Sequence, residues 1–193
     1  MSQPLKPSRN QLFLIVAAIA FLMLLTRGSH VMTHVSLPDA SLALFLIGGL
    51  MLRKTSWFAL FVVLATLIDF GAAATDSFFA FCLTAGYWGM LPTYAVMWLA
   101  GLWLSKQENP LALVRFALAG IIATFFAFVI STQSYYLFSG RFPNTGLLET
   151  IQYGWNYLPS YMSYTTMYLA AFWVFATALP NRLGLLVTTT KIA

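Results

Sequence analysis

Charge is scarce in this chain of 193 residues: only 8% of them are Asp, Glu, Lys or Arg, and cysteine occurs once. A soluble domain carries about 25% charged residues, so this composition cannot cover a water-facing surface. Disorder, coiled coil, collagen and a water-soluble enzyme are excluded on that ground. A lone cysteine permits neither an internal disulfide nor a zinc cluster. The sequence has no phosphate-binding glycine-lysine loop, no His-Glu-x-x-His and no Gly-x-Ser-x-Gly, and with them it lacks an energy-converting module of its own. No internal repeat stands out, which argues against an inverted-repeat secondary transporter.

What the chain has in abundance is apolar surface: 60% hydrophobic and 17% aromatic residues, with a mean hydropathy of +0.80. The apolar runs are long and unbroken, unlike the weak alternation of a membrane β-barrel. The composition therefore predicts an all-α membrane protein, one transmembrane domain over residues 1–193. Six spans can be drawn: 12–26, 38–52, 57–74, 87–104, 113–137 and 157–179. A spanning helix needs roughly 17–25 residues, so the first two must borrow flanking residues or be sheltered by neighbours. Lys6 and Arg9 ahead of the first run resemble the start of a secretory signal, but its small residues, Ala17, Ala18 and Ala20, lie inside the run. A retained span is expected.

Basic residues set the orientation. With the N-terminus in the cytoplasm, the inner side holds Lys6, Arg9, Arg53, Lys54, Lys106, Arg115, Arg182 and Lys191, and the outer side only Arg27 and Arg141. That asymmetry predicts both termini on the cytoplasmic side. The outer connections, 27–37, 75–86 and 138–156, are longer and less regular than the inner ones, and they gather the polar chemistry: His30, His34, Asp39, Asp76, Cys82 and Glu149.

Several residues are candidates for function. Asp69 lies within the third span near its outer end. A carboxylate at bilayer depth costs about 2.5–3.5 kcal/mol, so it should face the bundle interior and have a partner. Cys82 reads either as a small buried hydrophobe or, with Gly86 and Gly89 permitting close approach of a large ligand or an unusual backbone turn, as a thiolate ligand for a soft metal centre. His30 and His34 stand at a spacing that shares a helical face, yet Gly28 and Pro38 favour a loop with two hydrogen-bonded histidines. From Tyr135 onward aromatics are dense. Tyr153, Trp155, Tyr157 and Tyr161 either belong to an interfacial belt or line a broad cavity, with Gln133, Asn144, Gln152 and Asn156 as amide partners.

The segment Phe81-Cys82-Leu83-Thr84-Ala85-Gly86-Tyr87-Trp88, preceded by Asp69 and His30, together with six spans and cytoplasmic ends, resembles the BtuM family. These are solitary membrane subunits related to the S-components of energy-coupling-factor vitamin transporters. The resemblance covers nearly the whole chain. It implies a six-helix S-component fold and vitamin B12 uptake across the inner membrane of Gram-negative bacteria, with cobalamin held near the periplasmic side. It further implies that Cys82 is the axial ligand of the cobalamin cobalt. Asp69, His30 and Tyr87 would then hydrogen-bond the corrin amides or brace the cysteine loop. Thiolate donation to cobalt should labilise the opposite axial group, so cysteine-promoted decyanation of cyanocobalamin is expected with an external reductant.

S-components dock on their energising partner through Ala-x-x-x-Ala in the first span. Here Phe21 follows Ala17 and Leu22 follows Ala18, so no dedicated energising module is expected and a monomer is the simplest state. Two alternatives stay open: a carrier of a smaller vitamin with Cys82 as filler, and a membrane redox protein using haem on His30 and His34. The orientation is checked by alkaline phosphatase fusions, expected to be inactive after Lys54 or Gln107 and active after Phe81 or Thr145.

Overall fold

The computed structural model describes residues 9–27, 37–75, 80–81, 83–142 and 145–178. Among these every regular element is helical: α1 (Arg9–Arg27), α2 (Ser41–Leu52), α3 (Thr55–Thr75), a 3₁₀ turn (Ala85–Gly89), α4 (Met90–Leu104), α5 (Leu113–Phe138), α6 (Leu147–Trp155) and α7 (Leu158–Ala178). Three of them, α1, α3 and α5, are long and apolar enough to cross a membrane. α7 matches α3 in length, but its first half is rich in hydroxyls, from Ser160 to Tyr168.

The outward faces explain the composition. Only Phe61, Ala65 and Ala72 of α3 are buried, while Val63, Leu67 and Phe70 point outward. Exposed apolar side chains on this scale mark a surface made for lipid rather than water. α5 presents the complementary pattern, a buried stripe of Phe116, Ala119, Gly120, Ala123, Thr124, Ala127 and Phe128 at the helical repeat.

α2 lies at the centre. All twelve of its residues are buried, as expected of a helix apolar around its whole circumference. At about 18 Å it is shorter than a bilayer core, and it is sheltered by its neighbours rather than lengthened. Its start is defined by Asp39, whose Oδ1 accepts from the Ser41 N–H at 2.9 Å and the Ser41 hydroxyl at 2.6 Å. Its end is a left-handed turn at Arg53, with φ of 60°. The Arg53 guanidinium ties that turn to the end of α4 by donating to the Ser105 carbonyl at 3.2 Å.

α4 packs on α2 backbone to backbone. A Cβ on Gly101 would collide with the Leu46 carbonyl oxygen and come within 2.7 Å of the Leu50 nitrogen; one on Gly49 would collide with Trp98. Around this contact Phe45 stacks on Tyr94, with ring centres 4.1 Å apart and planes 9° from parallel. At α7, the Tyr168 hydroxyl donates to the Pro38 carbonyl and the Trp173 indole to the Leu111 carbonyl, both at 2.8 Å.

Two details differ from the sequence reading. The fourth apolar run does not begin as an α-helix at Tyr87: residues 85–89 form a 3₁₀ turn capped by the Thr84 hydroxyl, and α4 starts at Met90. The connection 138–156 is more regular than expected, because Leu147–Trp155 forms an amphipathic helix whose Glu149 carboxylate accepts from the Gly146 N–H at 3.3 Å.

Gly101→Ala is expected to lower stability in detergent by about 1–3 kcal/mol, as overpacking does. Gly71→Ala on α3, where an added Cβ meets nothing within 4 Å, should be neutral or slightly stabilising. Thermal unfolding of the two variants compares them directly.

Candidate functional site

The polar residues of one end of the bundle converge on Arg27, in the last turn of α1. Its Nε and one terminal nitrogen donate to the two oxygens of Asp69, both at 2.5 Å, a bidentate pair between α1 and α3. The other terminal nitrogen reaches Asp39 at 3.2 Å and the Ser41 hydroxyl at 3.0 Å, at the start of α2. The side chains of Arg27 and Asp69 are only 10% and 19% exposed, so the charges depend on each other rather than on water. A guanidinium at a helix C-terminus is also favoured by the helix dipole.

Tyr87 extends the cluster, its hydroxyl donating to Asp69 at 2.8 Å. The 3₁₀ turn that carries Tyr87 lies hard against α5. A Cβ on Gly86 would approach the Ser134 carbonyl oxygen to 2.7 Å and the Tyr135 Cα to 2.9 Å, and one on Gly89 would collide with the Ser134 side chain. These glycines thus serve an unusual, closely packed backbone turn, one of the two uses the sequence allows them, and Gly86 also lines the cavity beside it.

Between α3, the 3₁₀ turn, α5 and α7 lies a cavity of about 520 Å³. Arg27, Asp69 and Tyr87 line one side of it, and Ser131, Thr132, Tyr135 and Tyr136 another. Tyr157 and Tyr161 enter from the α7 side, with the Tyr161 and Ser131 hydroxyls 3.0 Å apart. Phe81, Leu83, Ala72, Gly86 and Met90 complete the lining. The Phe81 ring is clamped under the Arg141 guanidinium, 3.7 Å from its centre. A smaller cavity of about 360 Å³ adjoins, sharing Leu83, Tyr87 and Met90 and reaching the buried Tyr94, whose hydroxyl has no hydrogen-bond partner among the described residues.

The expected site residues fall into three groups. Asp69, Tyr87, Tyr157 and Tyr161 share the larger cavity. Tyr153 and Trp155 are on α6, half exposed and not among its lining residues; Trp155 packs edge-on against Phe125 and Phe128. Cys82, His30 and His34 lie outside the described residues. Among the amides, Gln133 is taken by the Thr150 hydroxyl, which donates to it at 2.8 Å and ties α6 to α5; Gln152 and Asn156 do not line the cavity, and Asn144 is outside the described residues. Among the described residues no three His, Cys, Asp or Glu side chains could hold a metal ion.

Arg27 was read only as an outer charge, and its pairing was missed. The pointer was present: a single arginine and a single aspartate closing two apolar runs on the same predicted side. Ser131 and Thr132 line the cavity without any mark in the sequence, while Tyr135 and Tyr136 stand there only as members of the dense aromatic run.

Chemically, the cavity offers aromatic walls with hydroxyl tips and a preorganised charged corner. That suits a broad ligand with apolar faces and amide or hydroxyl edges better than a small ion. Compared with known proteins, the chain matches no family model and no curated sequence.

Asp69→Asn should destabilise the protein by about 3 kcal/mol, the low end for breaking a buried pair because Asp39 still faces Arg27. Removing both charges in Arg27→Met with Asp69→Leu should recover much of that loss. Unfolding midpoints of the single and double variants form the check.

Proposed function

We propose that the protein binds cobalamin at the outer face of a bacterial inner membrane and carries it across. The observation that bears most weight is that Phe81 and Leu83, the neighbours of Cys82 in sequence, both line the cavity that holds Asp69 and Tyr87. In this reading Cys82 supplies a thiolate to cobalt, and the aromatic walls take the apolar ring face. The Arg27–Asp69–Tyr87 chain acts as a brace for the wall beside the cysteine, since both Asp69 oxygens are already engaged.

The Cys82 thiolate occupies one axial position of cobalt(III). An external reductant delivers one electron to give cobalt(II), and cyanide leaves from the opposite face with its bonding pair.

Six spans with both ends cytoplasmic belong to the same proposal. It draws support from the alternation of helix ends: Arg27, Asp39, Asp69 and Tyr87 meet at one end, while Arg53 reaches Ser105 at the other. Phe21, 60% exposed on α1, interrupts the small-residue docking motif and favours solitary action.

A corrinoid is larger than about 520 Å³, so it would project through the mouth or displace Tyr87 to join the two cavities. The same volume favours a second reading, a carrier of a smaller vitamin, because it falls within the ordinary range of small-ligand pockets.

Protein purified from cells supplied with cobalamin should carry a red corrinoid spectrum, and Cys82→Ala should weaken binding and shift the bound visible bands. Corrinoid-free protein that binds thiamin or riboflavin would favour the second reading. An unchanged spectrum in Cys82→Ala would remove the cobalt–thiolate bond from the first.

A further inference from the structure

At the end of the bundle away from Arg27, a groove of about 460 Å³ runs along the outside between α4 and α5. Its floor is made of small side chains, Ala100 on α4 and Ala119 and Ala123 on α5, and its lining is apolar except at one end, where Arg115 stands beside Trp103. The residues that α5 contributes recur at the helical repeat from Arg115 to Phe126, so the groove follows the helix for about 16 Å. Half of a bilayer's hydrocarbon core is about 15 Å thick.

The charged end is not internally satisfied. Among the described residues Arg115 forms no ion pair, and its guanidinium donates one long hydrogen bond, to the Asn109 carbonyl at 3.4 Å. In the connections at this end and the first turn of α5, Arg53, Lys54, Lys106 and Arg115 outnumber the single carboxylate of Glu108. A tryptophan and an arginine side by side suit the headgroup level of a membrane.

We propose that this groove holds one acyl chain of an anionic phospholipid whose phosphate pairs with Arg115. A single polymethylene chain fits a channel floored by alanines. The length of the groove matches one leaflet, and the charge at its end matches a phosphodiester. Pairing between anionic lipid headgroups and basic residues at the membrane surface follows the same electrostatics.

The test is native mass spectrometry of the full chain released from detergent, with palmitoyl-oleoyl phosphatidylglycerol or the corresponding phosphatidylcholine added. One phosphatidylglycerol should remain bound, in preference to phosphatidylcholine. Arg115→Gln should lower its occupancy about fivefold. Ala100→Leu, which fills the floor, should lower the occupancy of both lipids. Thermal unfolding midpoints identify a variant that has merely lost its fold. Occupancy unchanged in both folded variants, or equal retention of the two lipids, would overturn the assignment. A doubled protein mass that disappears in Ala100→Leu would instead identify the groove as an interface between two copies.

Discussion

A guanidinium placed at the edge of an apolar bundle must find a carboxylate or be expelled from it, and this requirement organises one end of the molecule. Arg27 closes α1, Asp69 lies near the end of α3, and Asp39 precedes α2, so satisfying one charge brings three helix ends to a common level. The bidentate geometry fixes direction as well as distance. With Asp69 held, Tyr87 has a fixed acceptor, and the turn that carries it becomes a wall of the cavity. Such a pair is weak support for stability compared with a well-packed apolar core, and what its geometry gives is a direct tie between the ends of α1 and α3.

Packing supplies what the charges do not. In a bilayer, helices gain little from hiding apolar side chains from one another, and close backbone approach replaces that drive. Here the approach is made twice through glycine: Gly49 and Gly101 join α2 to α4, and Gly86 and Gly89 join the 3₁₀ turn to α5. The second contact leaves α5 to present Ser131, Thr132 and Tyr135 to the cavity while Gly120 packs against Leu169 of α7. The site is therefore a by-product of how tightly the turn is pressed on the helix beside it.

The helices were legible because apolar runs are their own signal, and even the shortness of the second run pointed to a sheltered segment. The need of Asp69 for a partner was legible from the cost of a buried carboxylate. Which residue would meet it was not, because a tally of charges by side does not say which helices are neighbours. Gly86 and Gly89 announced close approach without naming what approaches. The placement of Gln133 was hidden for a related reason: it faces α6, an element that lies in a connection expected to be irregular. Tyr157 and Tyr161 could not be told from Tyr153 and Trp155, since interfacial and cavity-lining aromatics have the same composition and differ only in the helix that bears them.

The join between α2 and α4 has a mechanical consequence. Two helices whose backbones touch cannot slide or splay without rupturing that seam, so they behave as one rigid spar. Any widening of the bundle must then be borne by the surrounding staves. α7 is held to its neighbours by packing of Leu169 and Phe172 on α5 and by hydrogen bonds of Tyr161, Tyr168 and Trp173.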